Sequence, residues 1–255
     1  MVVTSSTGST NPPDAQSDAL KNELDFWSDP ELQKKNGRFS PAAKTLMEES
    51  ALKFVGRNKR NEIIDNELAL KTPRYCLLIL ICSETIKLYI TGMMYPKLLF
   101  LSNERLCIMN PSLILAPQLK PGEITGNGLP WFARIVKGDA MNQQIPNDSM
   151  SIIHCEDLAK LSILAAFPKQ TCDGLALPSG RYFGVNQSWA WEEILLAIKS
   201  RRPDFNIPPK KFEKQNPVTK FDNTRRDSLG LGVMKDLSII LDDTITFLEE
   251  KGLIK

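Results

Sequence analysis

Short runs of β-branched and other apolar residues alternate with helix-like stretches along the chain, and that alternation most limits its fold. VVT at 2–4, RLCIMNPSLILAP at 105–117, the start of SMSIIHCEDLAKLSILAAF at 149–167 and SGRYFGV at 179–185 each read as a strand. Strands separated by helices of about this spacing pair in parallel, because each crossover returns the chain to the same end of the sheet. The expected class is therefore α/β, built on a mostly parallel sheet. The run at 105–117 is nearly continuous in apolar residues and closes on proline, which predicts one strand buried on both faces.

The helices between these runs carry their own punctuation. Ser40-Pro41 reads as N-cap and first helical residue. Ala43, Met47, Ala51 and Phe54 follow at near-i, i+4 spacing and predict a helix over 41–56 with that face buried. Ser188 is placed as the cap of the next helix, with Glu192 and Glu193 in its first turns, where the macrodipole favours acids. Leu237, Leu241, Ile245 and Leu248 mark one face of a last helix, with Gly252 as its C′ residue. A further short helix is expected near 30–34. Residues 118–150 read as a Gly/Pro/Asn-rich loop containing the apolar patch LPWFARIV.

Composition removes several classes of function. The formal net charge is +2 over 255 residues, so no strong field points to nucleic acid or an anionic membrane. The five cysteines, at 76, 82, 107, 155 and 172, form no C-x-x-C pair, and there is a single histidine. That excludes a disulfide scaffold or zinc ribbon and fits reduced thiols in a cytoplasmic setting. No signal peptide is read at the N-terminus. Residues 57–104 stand apart: a charged segment precedes an apolar one interrupted by Glu84, Lys87 and Lys97, with uninterrupted runs too short for a stable membrane span. A buried strand or helix pair, an interfacial segment and an insertion all stay open for it.

Seven blocks in order resemble one family. They are VVTSSTGS (2–9), FWSDPE (26–31), SPAAKTLMEESALKF (40–54), NPSLILAP (110–117), IIHCEDLAKL (152–161), SGRYF (179–183) and SLGLG…DTITFLEEKG (228–252). Together they resemble the extended short-chain dehydrogenase/reductases, within the dihydroflavonol reductase and cinnamoyl-CoA reductase-like branch. The resemblance covers the chain outside about 57–104. It implies part of a Rossmann-like domain binding NADP or NAD, followed by a smaller C-terminal lobe for a small carbonyl or alcohol substrate. On this frame residues 1–117 are the end of the dinucleotide domain, with 57–104 inserted. Residues 118–255 are the substrate lobe, interleaved with the last Rossmann elements.

The resemblance also implies site residues. Ser6 matches the family serine that positions the substrate oxygen. Lys44 matches the lysine that holds the nicotinamide ribose and lowers the pKa of a tyrosine one turn earlier. Pro111 matches the proline lining the nicotinamide site. The chemistry of that tyrosine–lysine pair is plain: an ammonium at i+4 favours phenolate and brings a group of pKa near 10 toward neutrality. Here the tyrosine position is Ser40, a far weaker acid on a shorter arm.

The family's glycine-rich pyrophosphate turn has no match. GEITGNG (122–128) and LGLG (229–232) lack a strand before and a helix after them. The sequence is accordingly expected to open at the family's fifth strand, without the earlier strands of the sheet. Two functions follow: an NAD(P)-dependent reductase, or a non-catalytic, partner-binding relative of one. His154 is expected to be structural, Asp157 a helix-start acid, and Tyr182 a core residue. Trp189, Trp191 and the 131–136 patch are expected in the core, with the lining of a substrate pocket as the alternative. Oligomeric state is left open.

Overall fold

The computed structural model describes residues 1–13, 18–62, 105–118, 128–139, 143–168 and 177–254, with backbone only for 57–62. Its first sheet is parallel, in the order β1 (Val2–Thr4), β3 (Cys107–Pro111), β6 (Gly180–Gly184). A second sheet joins β4 (Leu113–Leu115) in parallel to β5 (Ser149–His154), and β5 antiparallel to β7 (Gln187–Ala190). A two-residue parallel pair links β2 (Leu20–Lys21) to β8 (Lys220–Phe221). The α/β class and the parallel sheet expected from the sequence are both present.

The single strand expected over 105–117 is in fact two. Pro111 is the last residue to pair with β6, opposite Gly184, and the chain then enters the second sheet at Leu113. Proline has no N–H to continue a ladder, so it marks the point where a strand can change partners. A Cβ on Gly184 would lie 2.7 Å from Leu158 Cδ1 and 3.1 Å from the Pro111 backbone, so only glycine admits this close approach.

Helix α1 (Pro30–Lys35) is capped by Asp29, whose carboxylate accepts from the Glu31 and Leu32 amides. Helix α2 runs from Phe39 to Glu62, longer at both ends than the expected 41–56. Its entry is also different. The Arg38 carbonyl accepts from the Ala42 amide, so Ser40 sits inside the first turn, exposed, and is not the cap. The buried face is shifted by one residue. Ala42, Thr45 and Glu48 are fully buried, whereas Ala43 is exposed and Phe54 is 60% exposed. Met47, Ala51 and Val55 pack more loosely against Val3, Leu106 and Ile108. The remainder of the 57–104 segment, from residue 63, lies outside the described residues.

Besides that small cluster under α2, two larger apolar cores are present. One, around β1, β3 and β6, packs Val2, Met109, Ile153, Leu161 and Tyr182 under helix α4 (Cys155–Ala166). The larger one packs Leu115, Phe132, Ile194, Ile198, Ile240 and Ile245 between helices. It uses helix α3 (Gly128–Val136), which falls inside the stretch expected to be loop. LPWFARIV places Phe132, Ala133, Ile135 and Val136 inward over two turns, a helical period that proline and glycine neighbours obscured. Trp131 meets Trp191 edge-on at 5.8 Å, and Trp191 is buried as expected. Helix α5 (Trp191–Arg201) starts after Ala190, not at Ser188. Ser188 lies in β7, its hydroxyl paired with that of Ser151, while the Glu193 carboxylate accepts from the Ala190 amide. Helix α6 (Thr224–Asp227) leads into the glycines of 230–232. Helix α7 (Leu237–Glu250) ends at Gly252, with φ +67°, as expected. No described helix is long and apolar enough to cross a membrane.

Candidate functional site

The parallel strands β1 and β3 end side by side, and an open α/β sheet binds ligands at such carboxyl ends. Ser6 lies two residues beyond the end of β1. Pro111 closes β3. Lys44, in the second turn of α2, donates from Nζ to the Thr4 carbonyl at 3.2 Å, two residues before Ser6. The fold thus carries all three sequence-derived residues to one edge. Ser40 lies four residues before Lys44 on the same helix side, exposed.

The turn after β1 is tightly specified. Ser6 caps a single 3-10 turn, Thr7–Ser9, with its hydroxyl accepting from the Gly8 amide at 3.0 Å. A side chain at Gly8 would meet Pro41 at 3.1 Å and Ser6 Oγ at 3.3 Å, so glycine lets this turn rest on the start of α2. The Gly8 carbonyl accepts from Ser28 Oγ and from Gln33 Nε2. Ser28, before α1, and Gln33, within it, are thereby fastened to the turn.

Beneath the turn lies a buried charge that sequence reasoning missed. Glu48, fully buried one helical turn after Lys44, accepts from the hydroxyls of Ser5 and Ser9 and from Asn110 Nδ2 at 2.7 Å. Its other oxygen pairs with Arg181 Nε at 2.8 Å. Arg181 spends its remaining donors on the carbonyls of Glu23, Phe26 and Ser9, at 2.8–3.0 Å. Its guanidinium stacks on Trp27, 3.8 Å from the ring centre. Burial pulls the Arg181 pKa down, and Glu48 opposes that pull. Glu23, also buried, accepts from the Phe183 amide, and burial raises its carboxyl pKa. Asn110 Nδ2 also bonds the Ser6 carbonyl at 3.1 Å, joining the ends of β3 and β1.

A signal for this network does exist in the sequence. An arginine inside the apolar strand SGRYF must find a partner if buried, although the sequence does not say which acid that is.

The remaining singled-out residues are structural. Nδ1 of His154 caps α4, accepting from the Glu156 amide at 3.1 Å, and Nε2 faces Asp243 at 3.2 Å. Burial, and then Lys235, lower its pKa. Asp157 does more than begin a helix: it is buried and accepts from the Lys235 amide at 2.9 Å. The Tyr182 hydroxyl accepts from the Ser179 amide in the core. Burial raises the pKa of the Cys107 and Cys155 thiols, and both are free; the other three cysteines lie outside the described residues.

With this geometry in view, likeness to known proteins narrows the reading. No family model matches the chain. Tetraketide alpha-pyrone reductase 2 of Arabidopsis thaliana is 26% identical over 151 residues, 58% of this chain and 44% of that protein. Yeast methylglyoxal/isovaleraldehyde reductase Gre2, solved with NADPH, superposes with a TM-score of 0.64 at 19% identity, over 99% of this chain and 64% of that one. The fold is that of the extended short-chain dehydrogenase/reductases. Vestitone reductase from alfalfa shares it, with a TM-score of 0.63 at 16% identity, over 99% of this chain and 65% of that one. The chain spans less than half the length of the curated reductases it matches. The resemblance to the dihydroflavonol reductase-like branch agrees with these relatives, which are themselves reductases.

At the strand ends the Ser6 hydroxyl and the Lys44 ammonium are the groups that would hold the nicotinamide end. For the pyrophosphate, LGLG at 229–232 follows α6 and not a strand, and GEITGNG lies outside the described residues apart from Gly128.

Proposed function

We propose that this chain carries the nicotinamide-side and substrate-side portion of an NAD(P)-dependent reductase that acts on a small carbonyl compound or its alcohol. The observation that carries the reading is the convergence of Ser6, Lys44 and Pro111 at the carboxyl ends of two parallel strands, in a fold whose relatives are reductases. In this reading the Lys44 ammonium holds the nicotinamide ribose, and the Pro111 backbone lines the nicotinamide face. Ser6 presents its hydroxyl to the substrate oxygen. The nucleotide, when bound, supplies the hydride. The lobe built on β4, β5 and β7 walls the substrate side. Proton transfer is the weak step. Ser40 occupies the position from which a phenol would act, and an aliphatic hydroxyl is far less acidic than a phenol of pKa about 10.

The test is a pair of titrations. NADPH fluorescence is followed on adding the chain and its Lys44→Ala variant, and NADPH oxidation is followed with methylglyoxal as carbonyl. Binding that is lost in Lys44→Ala supports the reading. Ser40→Tyr, which installs a phenol one turn before Lys44, is expected to raise turnover by about 10²-fold or more, the usual contribution of a positioned acid. Binding unaffected by Lys44→Ala, with no turnover in either form of residue 40, would favour the non-catalytic alternative.

A further inference from the structure

The turn Ser5-Ser6-Thr7-Gly8-Ser9 presents three serine hydroxyls within five residues, and they are not equivalent. Ser5 and Ser9 both donate to Glu48. Ser6 accepts from the Gly8 amide, and no described group takes its hydrogen. Alternation along an extended chain sends neighbouring side chains to opposite sides, so Ser5 points into the sheet where Ser6 points away. What secures the choice is a buried carboxylate on α2, the helix that carries Lys44 one turn earlier.

We propose that Glu48 is the positioning residue of the strand-end site. It draws in the two flanking hydroxyls, leaves the Ser6 O–H as the donor offered to a ligand, and fixes the distance between the Ser6 turn and the Lys44 helix. The geometry behind this is a carboxylate with one oxygen, Oε1, crowded by donors. Ser5, Ser9 and Asn110 converge on Oε1, and Arg181 holds Oε2 at 2.8 Å. Oε1 offers about two lone pairs and already faces three donors, so a rotation of the turn that brought Ser6 to it would have to displace one of them. Asn110 completes the arrangement by holding the Ser6 carbonyl from β3. Glu48 needs no contact with substrate or nucleotide. Its functional meaning rests on the reading of the site given above.

Glu48→Gln tests this. A carboxamide keeps the volume but turns an N–H2 group toward donors, so at least one of the four loses its acceptor. The full chain is labelled with 13C at serine Cβ, and the Ser6 resonance is assigned by its loss in Ser6→Ala. Ile194→Val, a fully buried change in the other core, controls for lowered stability. The Ser6 signal is expected to move or broaden in Glu48→Gln and to stay in place in Ile194→Val. A Ser6 signal unchanged in folded Glu48→Gln overturns the proposal.

Should Glu48→Gln not fold, Arg181→Lys takes its place. It keeps the charge, loosens the grip on Oε2, and is expected to shift Ser6 by less; an unmoved Ser6 there counts equally against the proposal. The readout contains no nucleotide. A moved Ser6 beside a failed NADPH titration would overturn the reading of the site while leaving the sorting of the hydroxyls standing.

Discussion

The strand-end site and the core between the helices of the lobe are both buried, but they are held by opposite means. At the strand ends Glu48, Arg181, Asn110, Ser5 and Ser9 form a buried polar cluster in which each side chain is tied to at least one other. In the lobe, Leu115, Phe132, Ile194, Ile198 and Ile240 are fully buried and have no polar side-chain atoms to satisfy. The first kind of interior is directional: each member has one place, and losing one strands the others. The second is graded: each methylene contributes through area and fit, whatever its neighbours. A site needs the first kind, because it must hold a hydroxyl and an ammonium at a set separation. A lobe needs only the second.

The largest expected effect lies at the buried ion pair. Arg181→Met leaves Glu48 charged, buried and unpaired, and is expected to cost about 3–5 kcal/mol. Glu48→Met alone is expected to cost a similar amount, while the double variant costs clearly less than the sum, a coupling to be read from urea melts in a double-mutant cycle. Phe132→Ala in the lobe is also expected to cost about 3–5 kcal/mol. Paired with Val3→Ala, in the small cluster under α2, however, it should be additive to within about 0.5 kcal/mol. Additivity at Glu48–Arg181 would erase the distinction between the two interiors.

Gly184→Ala probes the seam where the chain changes sheets. The added Cβ would lie 2.7 Å from Leu158 Cδ1 and 3.1 Å from Pro111, and overpacking of this kind costs about 1–3 kcal/mol. A lowered melting temperature would show it, and an unchanged one would mean that the seam yields freely. The smallest expected effect is a pH dependence. The pKa of His154 is lowered from the usual 6.5, so the folded protein favours the neutral ring. Its contribution is present above the unfolded value and is lost as pH falls through and below about 6.5. Melting temperature should therefore fall between pH 7 and pH 5 more steeply in the parent than in His154→Asn, which retains a capping acceptor. Parallel curves would remove His154 from the account.

Legibility differs sharply between elements. The last helix is readable to its final residue, because its stripe, its length and Gly252 are all local signals. Ser6, Lys44 and Pro111 stand out from ordered blocks, and the fold sets them on one edge. Other features escape the sequence for a shared reason. Its spacing points the buried face of α2 at Ala43 and Phe54, because the burial of Glu48 depends on Arg181, far along the chain. The strand at 105–117 looks single because apolar character does not report which sheet a residue joins. Ser40 and Ser188 look like caps because serine is a good cap residue, but each helix starts where its carbonyls and its packing allow.

The sequence by itself therefore determined the α/β class, the parallel pairing, most elements and the resemblance to known reductases, since periodicity, turn residues and ordered motifs are properties of neighbours along the chain. Only the tertiary structure decided that Pro111 hands the chain from one sheet to the other. Only it decided that Glu48 and Arg181 are buried together, and that Ser6 is the serine left facing outward. Each of these turns on a contact between residues far apart in sequence, where the low dielectric of the interior makes an unpaired charge or an unfilled hydrogen bond costly enough to select one arrangement.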